Sequence, residues 1–253
     1  MKLRRSFAII IVVLFLLVAG FSFASLFSVK KVDATFSVSD DTKISDLQSR
    51  LDEFLNKNII FLDKQEVYDA FSDFHYMEIV SVNKKYPNVI EVNVLERREV
   101  YYLDYGTNYL VTTENGFILK SISKNSVVDD SRDKIILTLD GVSVLESTIG
   151  KTVKTDNDEL LSTVFEMAKS VNLTDCIKGI SVFSMGSEFS DVTFSTYTGV
   201  DIVIEKAELF GVDKVKEGFS AYDQKASDYE KMFSKLVVFI DKDGKIQVNW
   251  TKE

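Results

Sequence analysis

The stretch Phe7–Phe27 constrains this chain more than any other: it reads FAIIIVVLFLLVAGFSFASLF, without one charged residue. At about 1.5 Å of rise per residue, a helix of that length crosses the roughly 30 Å hydrocarbon layer of a membrane. Lys2, Arg4 and Arg5 precede it, and basic flanks stay on the cytoplasmic side. The expected topology is therefore a cytoplasmic tail at 1–6, a span at 7–27 and an exported remainder, the single-pass type II arrangement. Ser22-Phe23-Ala24 also passes for the small-x-small site of a cleaved signal peptide. The apolar run exceeds the roughly 7 to 15 residues of a signal core, and Phe23, Leu26 and Phe27 continue it, which favours an anchor. Both readings export the bulk of the chain.

The remainder has the composition of a folded protein. Hydrophobic residues make up 45% of the 253-residue chain and charged residues 27%, enough apolar material for a core. The net charge of −9 repels phosphate backbones and argues against a nucleic-acid partner. Cys176 is the one cysteine, so an internal disulfide is impossible and the exported part must be held by its core. Pro87 is the one proline, and no Pro-rich or Gly/Ser-rich linker divides the chain.

Hydropathy patterning divides the exported part into two textures. Val29–Val38 alternates, with Val32, Ala34, Phe36 and Val38 on one face of a first strand. Ile44–Lys57 then follows helical spacing through Ile44, Leu47, Leu51, Phe54 and Leu55. Asp63, with Glu66 three places on, is a capping-box start for a second helix whose Val67, Ala70, Phe71 and Phe74 face inward. Val80 and Val82 open a strand that stops at Tyr86-Pro87-Asn88; Ile90, Val92 and Val94 alternate along the next. The order is β-α-α-β-β.

After Arg98 short apolar runs are separated by hairpin signals at Tyr105-Gly106, Asn115-Gly116 and Asp140-Gly141. Helical spacing predicts helices over Asp156–Val171 and from Val212 to about Met232. Candidate strands are Ile177–Ser184, Asp191–Tyr197, Val200–Glu205, Lys235–Asp241 and Lys245–Trp250. Asp243-Gly244 predicts a two-residue hairpin turn between the last pair.

Few residues carry chemistry. His75 is the one histidine, so a histidine metal cluster or a Ser-His-Asp triad would have to be built around it alone. Asp241-Lys242-Asp243-Gly244 resembles a calcium loop but lacks the later oxygen ligands. Asp40-Asp41 and Asp129-Asp130 have the ordinary character of solvated loop charges. No catalytic, metal or cofactor-binding residues are expected. The terminal strand is different. Lying at the end of the chain, it is expected at a sheet edge, with Ile246, Val248 and Trp250 on one face and Lys245, Gln247 and Asn249 on the other. Two readings stay open: an ordinary core face guarded by Lys245 against aggregation, or a ladder for another chain.

The basic tail, single span, β-α-α-β-β module and β-rich module together resemble the FtsQ/DivIB family of bacterial cell-division proteins. The local match is Val80-Ser81-Val82, then Tyr86-Pro87-Asn88, then Ile90, Val92 and Val94 running into Glu96-Arg97. This is similar to the run that closes the family's POTRA domain. His75-Tyr76, Asn83 and Glu99 stand where the family usually carries Pro-Trp, Arg and Pro.

The resemblance implies an α+β fold: a transmembrane helix, a POTRA domain at 28–97, and a β domain at 98–253 with an extended mixed or antiparallel sheet and flanking helices. It implies a divisome scaffold at the septum of the cell membrane, without enzymatic activity, cofactor or small-molecule substrate. The implied partners are FtsB/DivIC-like and FtsL-like bitopic proteins alongside other divisome proteins. They would be held by strand addition along Lys245, Ile246, Gln247, Val248, Asn249 and Trp250. The rivals are a POTRA-bearing translocation or secretion component, and an envelope hydrolase using paired carboxylates.

Overall fold

The structure is a computed structural model that describes residues 11, 13–15, 25–37, 41–126, 134–171, 176–184, 186, 189–224 and 234–252. It divides into two compact units, Met1–Arg97 and Arg98–Glu253. The fold is α+β and rich in strands. Most of the expected span at 7–27 lies outside the described residues, although Ile11, Val13, Leu14 and Phe15 are helical. No helix among the described residues is long and apolar enough to cross a membrane.

In the first unit, β1 (Lys31–Ser37) precedes α1 (Asp41–Asp52), α2 (Lys64–Asp69), β2 (Met77–Lys85) and β3 (Val89–Glu96). The sheet order is β1-β3-β2, with β1 parallel and β2 antiparallel to the central strand. Val32, Ala34 and Phe36 pack on the core; Val38 and Asp40 lie outside the described residues. Helix α1 ends at Asp52, short of the predicted Lys57. Phe54 still reaches the core, from a non-helical turn in which Asn56 takes φ +67°. Helical spacing there reflects burial, not helix. The capping box forms: the Asp63 carboxylate accepts from Gln65 N–H at 3.0 Å, and the Glu66 carboxylate accepts from Asp63 N–H at 3.2 Å. Those bonds satisfy donors that the helix start leaves without partners.

Strand β2 starts at Met77, ahead of the predicted Val80, and carries a bulge between Ile79 and Ser81. One extra residue reverses the alternation. Val80 therefore points outward, 53% exposed, while Met77 and Val82 are buried. The two valines of Val80-Ser81-Val82 therefore lie on opposite faces of the strand. Ile90, Val92 and Val94 are fully buried along β3, as the alternation predicts.

The second unit contains β4 (Tyr101–Tyr105), β5 (Asn108–Thr112), β6 (Ile118–Ser123), β7 (Ile135–Asp140), β8 (Val144–Glu146), β9 (Lys154–Thr155) and α3 (Asp158–Ser170). Then follow β10 (Ile177–Phe183), β11 (Asp191–Thr196), β12 (Asp201–Ile204), α4 (Gly211–Asp223), β13 (Ser234–Ile240) and β14 (Ile246–Lys252). The last stretch of the predicted second helix, 225–232, lies outside the described residues. Strands β8 and β9 form their own small ladder. The large sheet has nine strands in the order β14-β13-β12-β11-β10-β7-β4-β5-β6 and is mixed.

Two parallel neighbours, β7/β10 and β12/β13, enclose the helices: α3 falls within the first crossover and α4 within the second. Both crossovers step the same way along the sheet between strands of the same direction. A shared right-handed crossover rule then places both helices on one face, where α3 and α4 pack together. Beneath them lies the main core, including Leu137, Val164, Ile180, Phe194, Ile202 and Leu236.

Asp140-Gly141 is not a hairpin. Strand β7 pairs with β4 and β10, both parallel to it, and the turn carries the chain out of the sheet towards β8. Gly141 is needed there because φ is +77° and a Cβ would lie 1.8 Å from the Ser184 carbonyl oxygen.

Candidate functional site

The ladder pairs Ile240 with Ile246, Val238 with Val248 and Leu236 with Trp250. The turn between β13 and β14 is a three-residue loop, Lys242-Asp243-Gly244, not the two-residue turn that Asp243-Gly244 predicts. Gly244 N–H donates to Asp241 O at 3.1 Å, Asp241 N–H donates to Lys245 O at 2.9 Å, and Gly244 takes φ +77°. This is a turn closed by a left-handed bulge residue, so glycine is needed at the third loop position. The Asp241 carboxylate braces it, accepting from Lys245 N–H, Asp243 N–H and the Gln247 amide, each at 2.9 Å. Those bonds, the one from Lys245 N–H foremost, hold its carboxyl below the usual carboxylate range.

Turn geometry then decides which backbone groups face outward. Asp241 and Lys245 are a hydrogen-bonded pair, and such pairs alternate along an antiparallel ladder. Gln247 and Asn249 therefore bond to β13, while Ile246 and Val248 turn their N–H and C=O groups away from it. A second observation agrees: the carbonyl of Val238, opposite Val248, accepts from Glu205 N–H on the far side of β13 at 3.1 Å. Strand β14 is the last of the sheet, and β13 is its one ladder neighbour among the described residues.

Side chains alternate as predicted. Ile246, Val248 and Trp250 are half-buried against the core, whereas Lys245, Gln247 and Asn249 are exposed. The edge is supported from behind by α4, which packs on β12, β13 and β14. Gly218 permits that approach: a Cβ there would sit 3.0 Å from a methyl of Ile202 and 3.0 Å from one of Val238. Lys214, 1% exposed, ties the start of α4 to the end of β12 by donating to Glu205 O at 2.6 Å and Lys206 O at 2.9 Å. Burial lowers its pKa. Sequence reasoning missed both residues; a glycine inside an otherwise helical pattern was the available signal for Gly218.

The first-unit motif is placed differently. Val82, Ile90, Val92 and Val94 are core, Val80 and Tyr86 are exposed, and Pro87 occupies the turn before β3. Glu96 ends β3. Arg97 donates through its guanidinium to the carbonyls of His75 and Met77, and pairs with Glu78 at 3.6 Å. It locks the entry of β2 to the exit of β3, and burial lowers its pKa. These residues belong to one unit and Lys245–Trp250 to the other.

The fold and the terminal strand together define a two-unit α+β protein that presents the edge of a mixed sheet. No family model matches the chain. Among curated proteins it is 30% identical over 103 residues to the cell division protein DivIB of Clostridium acetobutylicum, covering 41% of this chain and 39% of that protein. It is 27% identical over 101 residues to DivIB of Clostridium botulinum strain Loch Maree, 40% of this chain and 37% of that one. The matched stretch thus spans about two fifths of the relatives' length. A solved structure, the major extracytoplasmic domain of the trans isomer of DivIB from Geobacillus stearothermophilus, aligns at 15% identity with a TM-score of 0.28, over 52% of this chain and 98% of that one. Through the sequence match, the chain is related to the FtsQ/DivIB family of bacterial cell-division proteins.

Proposed function

We propose that this chain is a membrane-anchored scaffold of bacterial cell division. Residues 1–6 form its cytoplasmic tail, 7–27 its span, 28–97 a POTRA domain and 98–253 a β domain. It binds FtsB/DivIC-like and FtsL-like proteins and joins them to other divisome proteins at the septum, without catalysing a reaction. The relatives' names support the division role. The division into units at Arg97 and Arg98 supports the domain limits. The uncharged length of the apolar run supports a span.

The outward main-chain groups of Ile246 and Val248 carry the reading. A partner strand laid along Lys245–Trp250 would complete the ladder, with main-chain bonds supplying affinity and alternate side chains supplying selectivity. Val248→Pro tests it. Proline removes a donor that faces away from β13 and leaves the bonds of Gln247 and Asn249 in place. Losing one interfacial bond and stranding its acceptor costs about 1–3 kcal/mol, or roughly five- to 150-fold in affinity for a DivIC-like partner. Asn249→Pro, which breaks the hairpin itself, should also lower stability. Undiminished partner affinity in folded Val248→Pro would refute strand addition.

A further inference from the structure

At one end of the first unit three separated segments converge. The carbonyl of Phe27, where the apolar run stops, accepts from Ile59 N–H at 2.8 Å, and Lys30 N–H donates to Asn88 O at 2.9 Å. The Tyr86 ring meets the Phe27 ring edge-on at 6.4 Å, and the Lys84 ammonium donates to Ile60 O at 3.4 Å. The loop between α1 and α2, the turn between β2 and β3, and the exit of the apolar run therefore form one surface.

That surface is apolar and rigid. Ile59 and Leu62 are buried, and Asn58 clamps the loop between them: its side chain accepts from Ile60 N–H at 2.9 Å and its carbonyl from Leu62 N–H at 3.0 Å. Phe61 stands out from this loop at 83% exposure, and Tyr86 at 60% and Leu26 at 51% are bare on the other two segments. The surface is also locally basic although the chain carries a net charge of −9. Lys30, Lys57, Lys84 and Lys85 meet two carboxylates there: Glu66 pairs with Lys57 and also feels Lys84, and Glu91 pairs with Lys85. No basic run announces it, because the lysines come from different segments.

We propose that this face, led by Phe61 and Tyr86 and flanked by Lys30 and Lys84, rests on the outer surface of the anchoring membrane and engages anionic phospholipid headgroups. The inference rests on the anchor reading of 7–27, since the apolar run ends within this very surface. Aromatic rings settle at the headgroup level, and lysines beside them gain from anionic lipid. The unit would thereby be held upright on the bilayer instead of swinging about Phe27.

The test uses the full chain in vesicles, with Cys176→Ser and a fluorophore on Ile60→Cys, so that Phe61 stays intact. A second label on Leu95→Cys lies at the far end of β3, roughly 20 Å from the Tyr86–Asn88 turn at strand rise. In phosphatidylglycerol vesicles, lipids with a shallow quencher should quench the label at 60 and spare the label at 95. Phe61→Asp should abolish that quenching, and Lys84→Ala should lower the membrane-contacting population about fivefold. Flotation with the vesicles reads the anchor separately. A chain that floats without quenching at 60 keeps its anchor and overturns this face; a chain that does not float overturns both. Equal quenching at 95, or quenching that survives Phe61→Asp, also overturns it. Equal quenching in neutral phosphatidylcholine vesicles overturns the anionic-headgroup assignment.

Discussion

Gly141→Ala tests the register of the large sheet most directly. A Cβ at this position would lie 1.8 Å from the Ser184 carbonyl oxygen and 2.8 Å from its carbon. Ser184 cannot recede freely, because its N–H donates to Asp140 O at 2.9 Å where the β7/β10 ladder ends. The left-handed backbone costs about 1–2 kcal/mol in a residue with a side chain. Forced displacement of packed atoms adds about 1–3 kcal/mol, and losing the bond adds about 1 kcal/mol. Together these give roughly 3–6 kcal/mol. Gly106→Ala is the matched control: φ is +61° and nothing lies within 4 Å, so only the backbone term, about 1–2 kcal/mol, remains. Urea unfolding followed through Trp250, the one tryptophan, reports on this sheet because Trp250 sits on β14. The Gly141→Ala midpoint should fall at least about twice as far as that of Gly106→Ala. Equal shifts would refute the close approach at Ser184.

Three further predictions concern what supports the edge and its neighbours. Gly218→Leu should push α4 off β12 and β13 at about 1–3 kcal/mol, visible as faster hydrogen exchange in α4 and a lower Trp250 unfolding midpoint; unchanged exchange would contradict the packing. Lys214→Met removes both donors to Glu205 O and Lys206 O and should cost about 1–3 kcal/mol in thermal unfolding; an unshifted melt would argue against the tie. Bonds from the Thr148 hydroxyl, the Lys151 ammonium and Thr148 N–H hold the Glu146 carboxyl down to about 2. Because that value lies below its ordinary 4.5, the contribution of Glu146 is present above about pH 4.5 and is lost as pH falls towards 2. A carboxyl titration by NMR with a midpoint near 4.5 would contradict this, and Glu146→Gln should remove that part of the acid dependence.

Much of the local structure was legible in the residues. The capping box at Asp63 and Glu66, the buried faces of Ile90, Val92 and Val94, and the alternation along Ile246–Trp250 all form. Each depends on partners a few residues away or on a period set by backbone geometry. Three expectations failed for reasons outside that range. Asp243-Gly244 has the composition of a two-residue turn, yet the β13/β14 register leaves three residues in the loop. The spacing over 53–57 belongs to a buried turn, since burial can imitate helical periodicity after the helix has ended. Asp140-Gly141 has the composition of a hairpin turn, yet β7 is claimed by two parallel neighbours.

The sequence alone determined which residues turn inward, where the chain turns, and that an uncharged run long enough to cross a bilayer precedes two folded textures. Only the tertiary structure decided that a three-residue loop directs Ile246 and Val248 away from β13, and that the loop carrying Phe61 meets Lys84 while Tyr86 meets Phe27. The physical reason is that periodicity assigns a side chain to a face but not a strand to a neighbour. Neighbours such as β7 and β10 are chosen by burying a common core between segments far apart in the chain, and that choice leaves β14 and β6 at the two ends of the sheet.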